Sequence, residues 1–178
     1  MSRVIAELYM VDLETVSLAN NAAIISIGVV AFNATGATRT FYRKVALESS
    51  LAAGLHQSES TMAWWATQPE STRVEAFSGE ARLKGVLEHL TRFLGERPII
   101  WGNGAVADNV WLKSAYEACD LPVPWHYTDD RFFRSVMALY PGTPRVPPTE
   151  AHHALADAEA QVETLLNALV PFRMRSRA

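Results

Sequence analysis

The stretch Tyr9-Met10-Val11-Asp12-Leu13-Glu14-Thr15 decides how the chain is read. An apolar run passes into two acids spaced by one residue, and residues two apart on a strand point to the same face. Val4 to Val11 therefore reads as a β-strand, with Asp12 and Glu14 converging where it leaves the core. Like charges held that close need a proton or a cation, and a hard divalent ion suits an all-oxygen donor set. The same pair also describes two solvated acids at a strand end, so the reading depends on what surrounds it.

Outward from this strand, Ile24 to Phe32 and Thr40 to Ala46 are rich in β-branched and aromatic residues and complete an antiparallel meander. Asn33-Ala34-Thr35-Gly36 reads as the hairpin turn between them, with Gly36 free to take a positive φ. After a loop, Ser58 to Thr67 reads as a short helix closed by Pro69. Gly79 to Leu94 reads as a longer one, apolar at Leu83, Val86, Leu87, Leu90 and Leu94. Pro98 to Trp101 is a compact buried strand that stops at Gly102-Asn103-Gly104 and feeds a helix from about Val106 to Ala118, the βα half of a parallel unit. Asp120 to Trp125 is loop, Asp129 to Leu139 is helical by pattern, and Pro141 to Pro148 breaks the chain again. Thr149 and Glu150 open a last helix, as N-cap and acidic first turn, that runs to about Leu169. The pattern predicts an α/β domain: a mixed sheet, antiparallel meander plus parallel strands, flanked by helices.

A length of 178 residues accommodates one domain, 1–178, with the basic end at 171–178 read as a flexible tail. The lone cysteine, Cys119, cannot pair internally and reads as a small buried hydrophobe, so a reducing cytoplasm is the expected compartment. No signal-like leader or run of membrane-spanning length is present, so no membrane partner is expected. A net charge of −3 argues against coating duplex nucleic acid by bulk electrostatics. It leaves room for an enzyme that grips a few terminal nucleotides and lets bound cations neutralise the phosphates.

Two further groups of residues bear on the acid pair. Asp108 follows the strand Pro98 to Trp101 near a helix start, a place where sites are built in α/β sheets and also one that favours an acid for the helix dipole alone. His152-His153-Ala154-Leu155-Ala156-Asp157 sets two imidazoles before a carboxylate. At about 100° per residue, His153 shares a face with Asp157 and His152 lies about 140° away, so His152 joins a site only from the incoming loop or a frayed first turn.

Val11-Asp12-Leu13-Glu14-Thr15, Asn103-Gly104-Ala105-Val106-Ala107-Asp108-Asn109 and His152 to Asp157 resemble, in order and spacing, the motifs of the DEDDh 3′–5′ exonucleases of the DnaQ-like, RNase-H-like superfamily. Within it, Ile24-Ile25-Ser26-Ile27-Gly28, Thr61-Met62-Ala63-Trp64-Trp65 and Trp101-Gly102-Asn103-Gly104 are similar to the phage branch of exodeoxyribonuclease VIII-like enzymes. The resemblance implies a hydrolase that removes nucleoside 5′-monophosphates from the 3′ end of single-stranded DNA or RNA with two Mg²⁺ or Mn²⁺ ions. Asp12 would bridge both ions, Glu14 and Asp157 share one, and Asp108 help hold the other. The family spacing selects His152, not His153, as general base, a role imidazole suits because histidine titrates near neutrality.

By the same likeness, Leu13 and Thr15 hold the terminal sugar and Leu18 wedges against the last bases. Of the two adjacent tryptophans, Trp65 is expected to stack on a base while Trp64 packs inward. Asn103 and Asn109 either touch substrate or cap the turn and helix. Relatives of this kind are often homodimers. The other functions compatible with these residues are a nucleic-acid-binding module of the same fold without catalysis and a metallophosphatase acting on nucleotides.

Overall fold

Strand β1 (Leu8–Thr15) is paired on both sides, antiparallel with β2 (Ile24–Asn33) and parallel with β4 (Ile99–Gly102). The computed structural model describes residues 7–175, with side chains described to residue 169. On the outer edges, β3 (Gly36–Lys44) continues the antiparallel side and β5 (Asp130–Phe132) the parallel side, in the order β3-β2-β1-β4-β5. Helices α1 (Leu47–Ala52), α2 (Glu59–Ala66), α3 (Glu70–Phe77), α4 (Leu83–Leu94) and α5 (Asp108–Ala118) lie between β3 and β5 in the chain, followed by α6 (Phe133–Leu139) and α7 (Ala154–Arg175). The mixed sheet flanked by helices is the α/β architecture that the alternation of patterns predicts.

Strand alternation divides the core in two. Tyr9, Val11 and Leu13 are buried with Ile27 and Val29 of β2 against Trp65, Leu87, Leu90 and Leu112 from α2, α4 and α5. Met10, Val30 and Phe32 are buried on the other face with α6 and α7, against Phe133, Ala158, Val162 and Leu165. Asp12 and Glu14 follow Met10 at two-residue steps, so the pleat carries both toward α7.

Gly28 pairs with Asp12 across β1 and β2, and a Cβ there would collide with the backbone of Ala154 and Leu155. Its missing side chain lets the start of α7 settle directly on the sheet, which sets Asp157 over Asp12 and Glu14.

The structure moves several boundaries. Strand pairing continues to Thr15, with a register shift between Glu14 and Thr15, so Asp12 and Glu14 sit inside β1 and not beyond its end. The two-sided pairing outweighs the low strand preference of acids. Val4 to Ala6 lie outside the described residues. Residues read as loop form α1, the unassigned stretch after Pro69 forms α3, and Pro69 is the N-cap of α3 as well as the stop of α2. Asp130 to Phe132, read as helix, pair with β4 as β5. The α7 helix opens at Ala154, five residues after the expected Thr149, and continues to Arg175, past Pro171, whose fixed φ is helical. The side chains of the basic segment Arg173 to Arg177 lie outside those described.

Candidate active site

Asp12, Glu14 and Asp157 each present a carboxylate oxygen within 4.8 Å of the other two. Two come from β1 and the third from the first turn of α7. Asp12 is buried, and its Oδ1 accepts a hydrogen bond of 2.6 Å from Gln161 Nε2, one turn further along α7. Burial first, then the charges of Asp108, Glu14 and Asp157, hold the Asp12 carboxyl well above the usual carboxylate range, against the pull of the Gln161 bond. Burial, Asp157 and Asp108 push Glu14 up to about 8. The Asp157 carboxyl is raised by burial and pulled back by His152 and by backbone hydrogen bonds at His153 and His152. Three oxygen donors whose ionised forms are disfavoured by burial, and for Asp12 and Glu14 also by neighbouring carboxylates, fit a hard divalent cation.

Asp108 stands beside this group without joining it. It is buried at the start of α5, where Oδ2 accepts from the Asn103 N–H at 2.8 Å and Oδ1 from the Leu13 N–H at 3.3 Å. Those bonds tie β1 to the turn after β4.

The two histidines have different surroundings. His153 caps α7: its Nδ1 accepts from the Ala156 N–H at 3.3 Å, its carbonyl accepts from the Asp157 N–H at 3.0 Å, and its ring stacks on Tyr42 at 4.2 Å. His152 precedes it with φ of 59°, a left-handed conformation that costs a non-glycine residue on the order of 1–2 kcal/mol. Its ring meets the edge of Trp64 at 4.9 Å and of Trp65 at 6.1 Å.

Beside Glu14 opens a cleft of about 450 Å³ lined by Leu13, Thr15, Leu18, Trp64, Trp65 and Trp111, among others. The assignment of the tryptophans is reversed from expectation. Trp65 is 1% exposed and its Nε1 donates to the Thr15 carbonyl at 2.9 Å, whereas Trp64 is 42% exposed at the cleft. Pairing its one polar atom with β1 makes Trp65 the inward residue. Leu18 is largely exposed at the mouth, and the Thr15 hydroxyl donates to the Ser17 carbonyl. Asn109 is buried, with Nδ2 donating to Asp130 Oδ1 at 2.7 Å, so it fastens α5 to β5 and does not face the cleft. Asn103 borders a second chamber, of about 220 Å³, on the side of Asp157.

Residues 7–169 match the Rv2179c-like 3′–5′ exoribonuclease domain family. The chain belongs to that family. It is therefore a 3′–5′ exonuclease domain. Among solved structures, the nuclease domain of 3′hExo, a DEDDh family member bound to rAMP, is 12% identical at a TM-score of 0.64, covering 96% of this chain and 95% of that one. Exonuclease I from E. coli in complex with a dA16 oligonucleotide is 14% identical at a TM-score of 0.64, covering 93% of this chain and 41% of that one. At such identities the likeness establishes the fold alone, an RNase-H-like mixed sheet flanked by helices. No curated protein sequence matches the chain significantly. Among the described residues no helix is long and apolar enough to cross a membrane.

Helical spacing contained signals for two residues of this exonuclease domain that the motifs passed over. Gln161 is four residues after Asp157 and Trp111 three after Asp108, each one turn from a motif acid and on its face. The raised carboxyls also predict how the metal-free protein responds to pH. Its folded site holds protons that the unfolded chain, whose acids titrate near 4, has already released. Stability in EDTA therefore falls as pH rises from about 4.5 through the Glu14 value of about 8. Thermal melts of the wild type and Glu14→Gln across that window should show a shallower fall in the variant; parallel curves would refute the assignment.

Proposed function

We propose that the domain removes nucleoside 5′-monophosphates one at a time from the 3′ end of single-stranded RNA, with Mg²⁺ or Mn²⁺ bound by Asp12, Glu14 and Asp157. The observation that carries this reading is the three-carboxylate group beside an aromatic-walled cleft. RNA is favoured over DNA by the family's exoribonuclease description. The likeness of Ile24 to Gly28 and Thr61 to Trp65 to exodeoxyribonuclease VIII-like enzymes supports reading the domain as one of that branch.

A pair of bound cations supplies charge to stabilise the attacking and leaving oxygens of an in-line displacement. The chain's own residues supply the rest. Asp12, Glu14 and Asp157 would hold one cation, and Asp12 with Asp108 would hold the other, while Asp108 keeps Leu13 and Asn103 in place through their backbone N–H groups. His152, held by its left-handed turn against the rim of the cleft, takes the proton of the attacking water. The exposed face of Trp64 stacks on the terminal base, Leu18 wedges beside it, and the Leu13 to Thr15 backbone lines the sugar position.

A 5′-labelled oligoribonucleotide should shorten stepwise and release nucleoside monophosphates, and EDTA or Asp12→Ala should stop it. Matched single-stranded DNA and duplex RNA should be degraded more slowly. Binding without shortening would instead indicate a non-catalytic module, and release of inorganic phosphate from nucleotides a phosphatase. The tryptophans separate by assay: Trp64→Ala should raise KM about tenfold, within the range of one lost base stack, with little change in melting. Trp65→Ala should destabilise the fold by about 3–5 kcal/mol. Equal effects in both assays would contradict the assignment.

A further inference from the structure

Gln161 sits one helical turn beyond Asp157 on α7 and faces the sheet at 9% exposure. With Asp157, Asn103 and Arg145 it lines the chamber of about 220 Å³, which shares no lining residue with the aromatic cleft. A carboxylate that ligates a cation is ionised and offers only acceptors, so for that state the amide must turn its Nε2 toward Asp12, as the 2.6 Å contact records. The carbonyl oxygen shares a carbon with that nitrogen, which places Oε1 within about 5 Å of Asp12 Oδ1. Oε1 is buried and, among the described residues, accepts no hydrogen bond. An orphaned buried acceptor weakens a fold unless a water, ion or ligand completes it in the working state.

We propose that Gln161 is a positioning residue of the metal site: its Nε2 orients Asp12, and its Oε1 accepts a hydrogen bond from the hydration shell of a divalent cation held by Asp12, Glu14 and Asp157. This rests on the cation site of the proposed function. A hydrated Mg²⁺ or Mn²⁺ directs its water oxygens inward and their protons outward, so an outer partner must be an acceptor. Side chains that orient metal ligands in this way typically contribute about 10–100-fold to metal affinity. Other residue types fail on one side or the other. Leucine or methionine would leave Asp12 without its donor and the shell without an acceptor, whereas glutamate would keep the acceptor and attract the cation but would load the metal-free site with a further negative charge. A neutral amide has one arm for each task.

Calorimetric titration of MnCl₂ into the full chain tests this without reference to activity. Gln161→Met should bind Mn²⁺ about tenfold or more weakly than wild type, with an unchanged or higher melting temperature in EDTA. Its kcat at limiting Mn²⁺ should recover when the ion is supplied in excess, which a packing defect would not permit. Gln161→Glu keeps an oxygen in the Oε1 position and should bind Mn²⁺ at least as tightly as wild type. Binding by Gln161→Met within about twofold of wild type overturns the proposal, since orienting partners contribute more than that. Gln161→Glu binding as weakly as Gln161→Met overturns it as well, and decides the matter if the methionine variant does not fold. Wild-type protein that takes up no Mn²⁺, or Asp12→Ala that takes it up normally, removes the cation site itself; normal uptake by wild type with intact Gln161 variants removes only the role of Gln161.

Discussion

Asp12→Asn is expected to lower turnover at saturating Mg²⁺ by about a thousandfold or more while raising the melting temperature of the metal-free protein. Both effects come from one charge. Asparagine has the same shape as aspartate and still offers Oδ1 to Gln161 Nε2, so the packing between β1 and α7 is retained. It removes the negative charge between Glu14, Asp108 and Asp157, the acids that, after burial, hold the Asp12 carboxyl up. Metal-assisted charge stabilisation supplies several kcal/mol to phosphodiester cleavage, and about 1.4 kcal/mol corresponds to tenfold in rate. The gain in stability runs the other way: relief worth about 1 kcal/mol appears as about 2–4 °C in a domain of this size. It should be larger at pH 8 than at pH 5, because the wild-type acids are still largely protonated at the lower pH. Melts in EDTA at the two pH values, with a nuclease assay in Mg²⁺, check both halves. A variant that melts lower, or one that stays active, contradicts the account.

The histidines carry the second large effect. His152→Ala should reduce kcat/KM by about 10²–10⁴-fold, the usual contribution of a positioned general base, with little loss of stability. His153→Ala should do the reverse. It removes the cap on α7 and the stack on Tyr42, together about 1–2 kcal/mol, and leaves the rate within a few-fold because Asp157 remains in place. His152→Gly adds a control: glycine accepts the left-handed φ without strain, so this variant should be as stable as wild type or more so, and equally inactive. Denaturant titrations and steady-state rates on the three variants separate the roles. Full activity in His152→Ala with loss in His153→Ala would transfer the base to His153.

Free Cys119 is buried beside α5, where burial pushes its thiol up, so it packs as the small hydrophobe its helical neighbours indicate. Gly36 has the positive φ its place in the hairpin requires, and the apolar stripe of α4 is buried at all five positions that its spacing identifies. These are local regularities, written into neighbouring residues. Boundaries fared less well because they depend on pairing: β5 exists through its register with β4, and α7 starts where Gly28 lets it meet the sheet.

Asp12-Leu13-Glu14 illustrates what the sequence by itself determined. A two-residue period puts both acids on one side of β1 whatever surrounds the strand, and the ordered motifs ending in His152 to Asp157 assign the chain to its family type. Tertiary structure alone decided which histidine caps and which meets the tryptophans, which tryptophan turns inward, and that Gln161 reaches Asp12 while Asp108 is tied to backbone N–H groups. Each of those outcomes joins residues many positions apart. No period in the sequence encodes them, because they follow from where α2 and α7 come to rest on the sheet.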